Sequence, residues 1–345
     1  MKSRLLSRRD LAGLAEAANL QGLIGGLSKT AYRKPVETAL ARTSGMACIS
    51  IALREDLETA LGKIRRFYIG QAGETVDIVL RVYDAQNLKA ILRGVSKQVS
   101  PPEILSATMP VGELTSGILA ELARALDPRS VIDLLATMAL PFAHPLLRLR
   151  AERPGAGILE METALEKWHY QEAFNYLRAK KRAQWSLSAA LKLDADLDNL
   201  LTVLRFALAP EERTVLHEWL GSADLTLLFV GPGRLSSQLL LRAGNQETVE
   251  EAVEVLAGTV YEGPLREGLS GYASSGRISD LEKQLQKFRL AWMSALIGKD
   301  PLGVGVLLGY LALKVNEVSN IRWIARGINS GLDANGIRQE LVYTG

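Results

Sequence analysis

The sequence predicts an all-α protein made of three pseudo-symmetric helical repeats. Composition and an internal repeat lead to this prediction. Alanine, leucine, glutamate, lysine and arginine dominate the 345 residues, whereas aromatic residues contribute only 6%. A β-sandwich or barrel would be richer in valine, isoleucine, threonine and aromatic side chains, so this mixture favours helices. Because 48% of the residues are apolar, the chain has ample material for a large buried core.

The clearest internal repeat is an acidic residue, an asparagine three positions later and an arginine six positions after the asparagine. It occurs in the segments YDAQNLKAILR, ADLDNLLTVLR and NEVSNIRWIAR. The acidic residues are Asp84, Asp196 and Glu317, the asparagines are Asn87, Asn199 and Asn320, and the arginines are Arg93, Arg205 and Arg326. Since the asparagines lie 112 and 121 positions apart, the spacing indicates three divergent copies.

A second element recurs in the same order as the first. A glutamate in a helical segment precedes each acid and asparagine pair, at Glu58, Glu162 and Glu282. Two elements that keep their order through the chain are poorly explained by chance. The repeats are therefore predicted to be residues 1–109, 110–228 and 229–345.

A third element contains a tyrosine followed three residues later by a proline. The segment LSKTAYRKPV recurs as LAGTVYEGPL, with these residues at Tyr32 and Pro35, and at Tyr261 and Pro264. The middle copy is more divergent, because Ala139 and Phe142 stand where the tyrosine and the proline are expected. The element therefore supports the first and third copies more strongly than the second.

Helical periodicity is clear in the first copy. In VDIVLRVYDAQNLKAILRG the apolar residues recur every three or four positions from Ile78 to Leu92, which places them on one helix face. Gly94 follows, at a position where glycine commonly ends a helix. We therefore expect a long helix that ends close to Gly94.

The third copy is predicted to end in another long helix. Asp300 followed by Pro301 is typical of a helix start, because aspartate caps the free N–H groups and proline fits the first turn. Gly305 and Gly309, four residues apart, favour close packing against a neighbouring helix. The preceding residues 268–277, GLSGYASSGR, have the composition of a loop.

The repeated acid, asparagine and arginine do not predict a catalytic cluster. On one helix the acid and the asparagine share a face, whereas the arginine is rotated away by about 240°. Asparagine is unfavourable inside a helix, so each repeated amide is expected to bond to a backbone group or a neighbouring helix. The acids and asparagines are thus predicted to be structural, and the three arginines are the better candidates for partner contact.

Sequence motifs for catalysis and cofactor binding are missing. No GxxxxGK[ST] or GxGxxG motif occurs, and the proline in VGPGR (230–234) removes an amide that a phosphate site would use, so we expect a turn there. Glu166 and His169 form one Glu-x-x-His pair, whereas a di-iron site requires two. Cys48 lies in an apolar stretch and is expected to be a buried, inert thiol. We expect no catalytic residue, metal, cofactor or bound nucleotide.

The charge balance limits which partners the protein can bind, and the cysteine content indicates its cellular compartment. The 41 basic residues face 38 acidic ones, a balance too even to indicate nucleic-acid binding. One cysteine fits a reducing compartment. Residues 1–10 lack the apolar core of a signal peptide, and the longest apolar stretch, residues 301–313, is shorter than the roughly 20 residues that cross a bilayer. We expect a soluble protein or one peripheral to a membrane.

The C-terminal segment resembles a known family. Residues 305–342, GVLLGYLALKVNEVSNIRWIARGINSGLDANGIRQELV, are similar to the end of the C subunit of A-type and V-type ATPases, the relative of the eukaryotic d subunit. The residues that carry the resemblance are Asn316, Glu317, Asn320, Ile321, Arg322, Arg326, Gly327, Ile337, Arg338, Glu340 and Leu341. The tyrosine and proline segments also resemble this family, which is known for three similar helical copies.

The resemblance implies a funnel-shaped, all-helical protein that performs no chemical step. Such a protein lies on the cytoplasmic face of the membrane, peripheral to it, within a membrane complex. It receives the tip of the central stalk and sits on the membrane rotor ring. In that place it transmits torque between ATP turnover and proton or sodium transport, and its expected partners are the stalk subunits and the ring.

Two other classes of function stay open at this point. One is a free-standing helical-repeat adaptor unrelated to rotary ATPases, because stacked helical units commonly serve as interaction scaffolds. The other is a helical enzyme whose site is assembled from residues scattered along the sequence. A perturbed acid pair in a deep pocket would favour the enzyme.

Overall fold

The computed structural model describes residues 4–68, 70–179, 184–208 and 225–344. In these residues it contains seventeen α-helices, a 3₁₀ turn at Leu225–Leu227 and no strand. The prediction of an all-α fold is therefore confirmed for the part of the chain that is described.

Three short helices followed by two long ones occur three times in succession. The first group comprises α1 (Arg8–Leu14), α2 (Leu20–Leu27), α3 (Arg33–Leu40), α4 (Gly45–Phe67) and α5 (Gln71–Ser96). After α6 (Pro101–Ser106), the second group comprises α7 (Ser116–Leu122), α8 (Pro128–Thr137), α9 (Ala143–Glu152), α10 (Ile158–Ala179) and α11 (Trp185–Leu208). The third group comprises α12 (Ser237–Gly244), α13 (Val249–Val255), α14 (Glu262–Ser275), α15 (Ser279–Lys299) and α16 (Gly305–Asn329), and α17 (Ala334–Glu340) follows.

The first two short helices of each group begin with the same kind of cap. A polar side chain accepts a hydrogen bond from a free N–H of the first turn, which stabilises a helix start. The first short helices are capped by Ser7, Thr115 and Ser236, and the second by Asn19, Asp127 and Thr248. The third short helices follow Tyr32, Phe142 and Tyr261, aromatic residues that make no side-chain cap.

The helix starts correct the sequence alignment of the middle copy. Phe142 directly precedes α9 as Tyr32 precedes α3, and Pro145 is the third residue of α9, as Pro35 is of α3. Phe142 therefore corresponds to the tyrosine and not to the proline. The alignment of Ala139 and Phe142 came from pairing Thr137 with Thr30 in the sequence. Thr137 is the last residue of α8, whereas Thr30 lies in the turn after α2, so the two threonines are not equivalent.

Helix α5 ends close to Gly94, as predicted, but Gly94 is not its cap, and most of the loop predicted for residues 268–277 is helical. Helix α5 continues past Gly94 to Ser96, and a Cβ on Gly94 would collide with the side chain of Ile104. Residues 268–275 are helical, within α14, and a Cβ on Gly268 would collide with the backbone of Leu281. Gly94 and Gly268 therefore permit close packing against a neighbouring segment, whereas Gly276, in the left-handed conformation with φ 66°, ends α14.

The last long helix starts later than predicted. Asp300 is the C-cap of α15, and α16 begins at Gly305. The Asp300 carboxylate accepts a hydrogen bond from the Gly305 N–H at 3.0 Å across the intervening turn. Asp300 therefore bonds to the first residue of α16, although it lies five positions earlier in the chain.

The described residues form two compact units. The first takes its residues from Met1–Leu165 and Val306–Tyr343, and the second from Glu166–Gly305 and Thr344–Gly345. The first unit buries apolar side chains of α2, α4 and α5, and the second those of α11 and α12. Among the helices described, none combines the length and apolar character needed to cross a membrane.

Candidate functional site

The three acid and asparagine pairs predicted from the sequence are all buried. Each pair lies on the second long helix of its group, namely α5, α11 and α16. The exposed fraction of every one of these side chains is 3% or less. Buried polar groups cost free energy unless they are hydrogen-bonded, so their partners define what they do.

Each asparagine bonds to both polar groups of one residue in the segment that follows its helix. Asn87 donates to the Met109 carbonyl and accepts from the Met109 N–H, both at 2.7 Å. Asn199 does the same with Val230, at 2.9 and 2.8 Å. Asn320 bonds to the carbonyl and N–H of Val342 at 2.8 and 3.1 Å. The amide thus satisfies a backbone N–H and C=O that lie outside regular secondary structure.

The acid of the first pair binds backbone N–H groups at the start of the next group of helices. Asp84 accepts from Glu113 N–H at 2.7 Å and from Leu114 N–H at 3.1 Å. A Cβ on Gly112 would overlap the Asp84 carboxylate, so this position allows the acid to approach the backbone. We call Asp84 with these two N–H groups the Asp84 centre.

The acid of the second pair repeats this arrangement and adds a phenol. Asp196 accepts from the N–H groups of Arg234 and Leu235 at 2.9 Å each, and from the Tyr261 hydroxyl at 2.7 Å. Burial raises the pKa of Tyr261, and the hydrogen bond to Asp196 raises it further. Gly233 again leaves room for the carboxylate. The segment VGPGR therefore binds an anion, but this anion is the chain's own Asp196, and together they form the Asp196 centre.

The acid of the third pair lies in a charged centre. Glu317 accepts from Leu6 N–H, from the Tyr32 hydroxyl at 2.7 Å and from the Lys314 ammonium at 2.6 Å. Lys314 also contacts Asp56 at 2.6 Å and the Tyr32 hydroxyl at 2.9 Å. We call Glu317, Lys314, Asp56, Tyr32 and the Leu6 N–H the Glu317 centre.

Electrostatics in the Glu317 centre favour a charged lysine and a neutral phenol. Burial alone lowers the pKa of Lys314, but the carboxylates of Glu317 and Asp56 outweigh it, and the pKa is raised. Burial raises the pKa of Tyr32 strongly, and the same two carboxylates add to the effect. The ammonium therefore compensates two buried carboxylates, and the phenol donates a hydrogen bond without ionising.

One rule relates the three centres. The residues whose N–H groups the acids bind include Leu6, Leu114 and Leu235, and each of these directly precedes the cap of a first short helix. The acid on a second long helix therefore holds the start of a group of short helices. For Asp84 and Asp196 this is the next group along the chain, and for Glu317 it is the first group.

The three repeated arginines differ in their contacts. Arg93 forms a forked ion pair with Glu162, whose carboxylate is buried. Arg205 bonds to Glu282 at 2.8 Å. Arg326 is exposed and has no hydrogen bond or ion pair with any residue that the structure describes. The repeated glutamates found in the sequence are thus the partners of two of the arginines.

Other groups considered for chemistry do not come together. Among the described residues, no three His, Cys, Asp or Glu side chains are grouped so as to hold a metal ion. Cys48 is buried, and burial raises the pKa of its thiol. His169 is also buried, beside Tyr170, while His217 lies outside the described residues.

Sequence reasoning missed the lysine of the Glu317 centre. In the sequence Lys314 marks only the end of the apolar run of α16, although its exposed fraction in the fold is 4%. Its position three residues before Glu317, between apolar neighbours, was the available signal, because a lysine on a buried helix face needs an acidic partner. Asp56 and Leu6 carry no comparable signal, since both are more than 250 positions from the residues they contact.

The described residues thus form an all-helical protein in which repeated groups of helices are joined by buried polar contacts. The chain belongs to the ATP synthase (C/AC39) subunit family, whose family model matches residues 1–340. The resemblance noted in the sequence is thereby confirmed.

Curated relatives agree with this assignment. The C subunit of the A-type ATP synthase of Methanosarcina barkeri is 26% identical over 345 residues, which cover 99% of this chain and 90% of the relative. The C subunit from Pyrococcus abyssi is 26% identical over 340 residues, covering 98% and 86%. That of Haloferax volcanii is 26% identical over 319 residues, covering 92% and 87%. The similarity therefore extends along nearly the whole chain.

Proposed function

We propose that this chain is the non-catalytic central-rotor subunit of an A/V-type rotary ATPase. In this role it joins the central stalk to the membrane rotor ring and transmits torque for proton or sodium transport. Family membership over residues 1–340 supports a place in such a complex. Catalysis belongs to other subunits, and this chain acts as an accessory, mechanical part.

The bracing of the three second long helices is the observation that carries the proposal. A part that transmits torque has to keep its shape under load, so its helices need contacts that resist sliding. The acids and asparagines of α5, α11 and α16 attach each of these helices to irregular backbone through two or more buried hydrogen bonds. Buried and fully paired polar contacts of this kind make a packing arrangement specific and rigid.

The repeat arrangement is part of the same proposal. The copies are residues 1–109, 110–228 and 229–345, and the recurring caps and polar centres support these limits. The funnel implied by the family resemblance would offer one opening to the stalk and the opposite face to the ring. Its partners put the chain on the cytoplasmic face, peripheral to the membrane, with Arg93, Arg205 and Arg326 as candidate contacts.

Reconstitution tests this proposal. An ATPase complex from which this subunit has been removed is compared with the same complex after the purified chain has been added back. We expect ATP hydrolysis without ion transport in the depleted complex, and restored ATP-driven transport after addition. Failure of the chain to associate with the complex would contradict the proposal and would favour the free-standing adaptor.

A further inference from the structure

The three equivalent arginine positions are not equally satisfied by the chain itself. At the first two, a glutamate of a neighbouring long helix binds the guanidinium, Glu162 to Arg93 and Glu282 to Arg205. The corresponding glutamate for the third is Glu58, on α4. Its carboxylate instead accepts from the Ser116 hydroxyl. Within the described residues, the third arginine therefore has no carboxylate bound to it.

Two more arginines surround this third position. Arg322 is four residues before Arg326 on α16, so the two share one side of the helix. Arg322 donates to the Thr108 carbonyl at 2.6 Å, and Arg54 donates to the Leu105 carbonyl at 3.0 Å. Thr108 and Leu105 bond to each other at the C-terminal end of α6, so the two guanidinium groups lie side by side.

The local charge is positive and incompletely compensated. Burial, together with the charges of Arg326 and Arg54, lowers the pKa of Arg322 to about 10. Burial likewise lowers the pKa of Arg54, and the carboxylate of Glu58 opposes this. Three guanidinium groups beside one such carboxylate make a site that attracts an anion.

A tryptophan lies on the same exposed face. Trp323 is 50% exposed, three residues before Arg326 on α16. Residues three apart on a helix are neighbours on its surface. Tryptophan and arginine are the side chains most enriched among residues that dominate binding energy at protein interfaces. The surface therefore offers both an apolar anchor and a cation.

We propose that Arg326 and Trp323, with Arg322 and Arg54 behind them, form a docking site for an acidic helix of a partner subunit. A carboxylate of that helix takes the place at Arg326 that Glu162 takes at Arg93. The inference rests on the proposed function, because the partner is another subunit of the same ATPase.

The chain itself indicates a carboxylate on a helix as the ligand. Both equivalent arginines bind glutamates, and both glutamates lie on long helices, α10 and α15. The guanidinium fork matches a carboxylate through two parallel hydrogen bonds, as Arg93 does here. The exposed Trp323 also favours a protein surface, because an indole ring packs against apolar side chains that a free inorganic anion lacks.

The test measures binding of the full-length chain to the ATPase complex from which it has been removed. Arg326→Glu and Trp323→Ala are compared with the wild type at low and high salt. Arg33→Glu is the matched control, because Arg33 is an exposed arginine whose partner, Glu37, lies on its own helix. We expect Arg326→Glu to weaken binding about tenfold or more and to reduce its salt dependence, and Arg33→Glu to leave binding unchanged.

Three results would overturn the inference. The first is Arg326→Glu binding within about twofold of wild type. The second is a lower melting temperature in Arg326→Glu that is restored by adding Glu58→Arg, which would make Arg326 an internal bridge. The third is wild-type binding to phosphatidylglycerol vesicles that Arg326→Glu abolishes, which would make the ligand a lipid surface. Absence of any binding by the wild type would instead contradict the proposed function itself.

Discussion

The Glu317 centre and the Asp196 centre both attach a second long helix to the start of a group of short helices. They make this junction with different chemistry. Asp196 accepts from two backbone N–H groups and one phenol, and it forms no ion pair with any residue that the structure describes. Glu317 accepts one backbone N–H and one phenol, and the ammonium of Lys314 replaces the second N–H group. That ammonium also binds Asp56, so three charged groups are buried in one place and a single one in the other.

The separation along the chain gives a physical reason for the difference. Arg234 and Leu235 are 38 and 39 positions from Asp196, whereas Leu6 is 311 positions from Glu317. The entropy cost of closing a loop grows with the logarithm of its length, so this difference amounts to roughly 2 kcal/mol. The stronger, charge-assisted contacts are found where the chain closes its longest loop. Equivalent attachments in this fold are therefore made with contacts of different strength.

The Asp84 centre closes a shorter loop of the chain than the other two centres, and a phenylalanine stands where they have a tyrosine. Phe142 takes the position of the two tyrosines and has no hydroxyl to donate. Asp84 bonds to N–H groups only 29 and 30 positions away. The hydroxyl is thus present at the two junctions with the longer separations.

The largest expected loss of stability comes from a substitution in the Glu317 centre, the centre that contains a lysine. Replacing Lys314 by methionine leaves the buried carboxylate of Glu317 without its cation, and leaves Asp56 with only the half-exposed Arg4 at 3.9 Å. Breaking a buried ion pair from one side costs about 3 to 5 kcal/mol of unfolding free energy. Chemical denaturation measures this, with Lys29→Met as the control, because Lys29 is exposed. Equal stability of the two variants would show that the lysine does not hold the centre together.

Substitution of the asparagines tests the contact that all three copies share, the bond from the second long helix to the backbone of the segment that follows it. Asn87→Ala, Asn199→Ala and Asn320→Ala each leave a backbone N–H and C=O without partners. We expect each to lower the unfolding free energy by roughly 1 to 3 kcal/mol and to leave partner affinity unchanged. Denaturation and binding are measured on the same three proteins. Loss of affinity at full stability would reverse this assignment and make the amides partner contacts.

Alkaline titration sharpens the comparison between the centres. Lys314 and Tyr32 have raised pKa values in the folded state, so the stability they provide is complete below about pH 10 and is lost as the pH rises through their folded pKa values. In the Asp196 centre, Tyr261 has a raised pKa and provides stability in the same way. Each retained proton contributes roughly 1.4 kcal/mol per pH unit to the slope.

We therefore expect the stability of Lys314→Met/Tyr32→Phe to fall less steeply above pH 10 than that of Tyr261→Phe. Unfolding free energies between about pH 9 and 11 give the two slopes. Equal slopes would mean that the two centres retain the same number of protons. The wild type, measured in parallel, provides the reference slope.

The smallest expected effect concerns the arginines. Arg93 is half-exposed, but its partner Glu162 is buried, so Arg93→Ala leaves a buried carboxylate without this ion pair and should cost about 1 to 3 kcal/mol. Arg326→Ala should change the unfolding free energy by less than that, because it removes no internal ion pair. Thermal unfolding of the two variants compares them directly. A larger loss for Arg326 would mean that it has an internal partner.

The sequence predicted well what depends on local spacing. Helical periodicity identified the long helix of the first copy. The repeated asparagines were expected to bond to a backbone group or a neighbouring helix, and in all three copies the partner is a backbone group. The sequence could not predict their partners, Met109, Val230 and Val342, because a contact 22 or 31 positions away produces no periodic pattern. The capping role predicted for Gly94 was wrong for a related reason, because only packing against Ile104 distinguishes this glycine from a helix terminator.

Hydrogen exchange in Lys314→Met tests most directly the central claim, that the Glu317 centre ties the first short helix to the last long one. Mass spectrometry of peptides from α1, α16 and α11 gives the opening free energy of each. We predict that α1 and α16 lose protection together by a similar amount, while α11, which carries Asp196, keeps its wild-type value. Wild-type protection of α1 beside a destabilised α16, or an equal loss in α11, would contradict the claim.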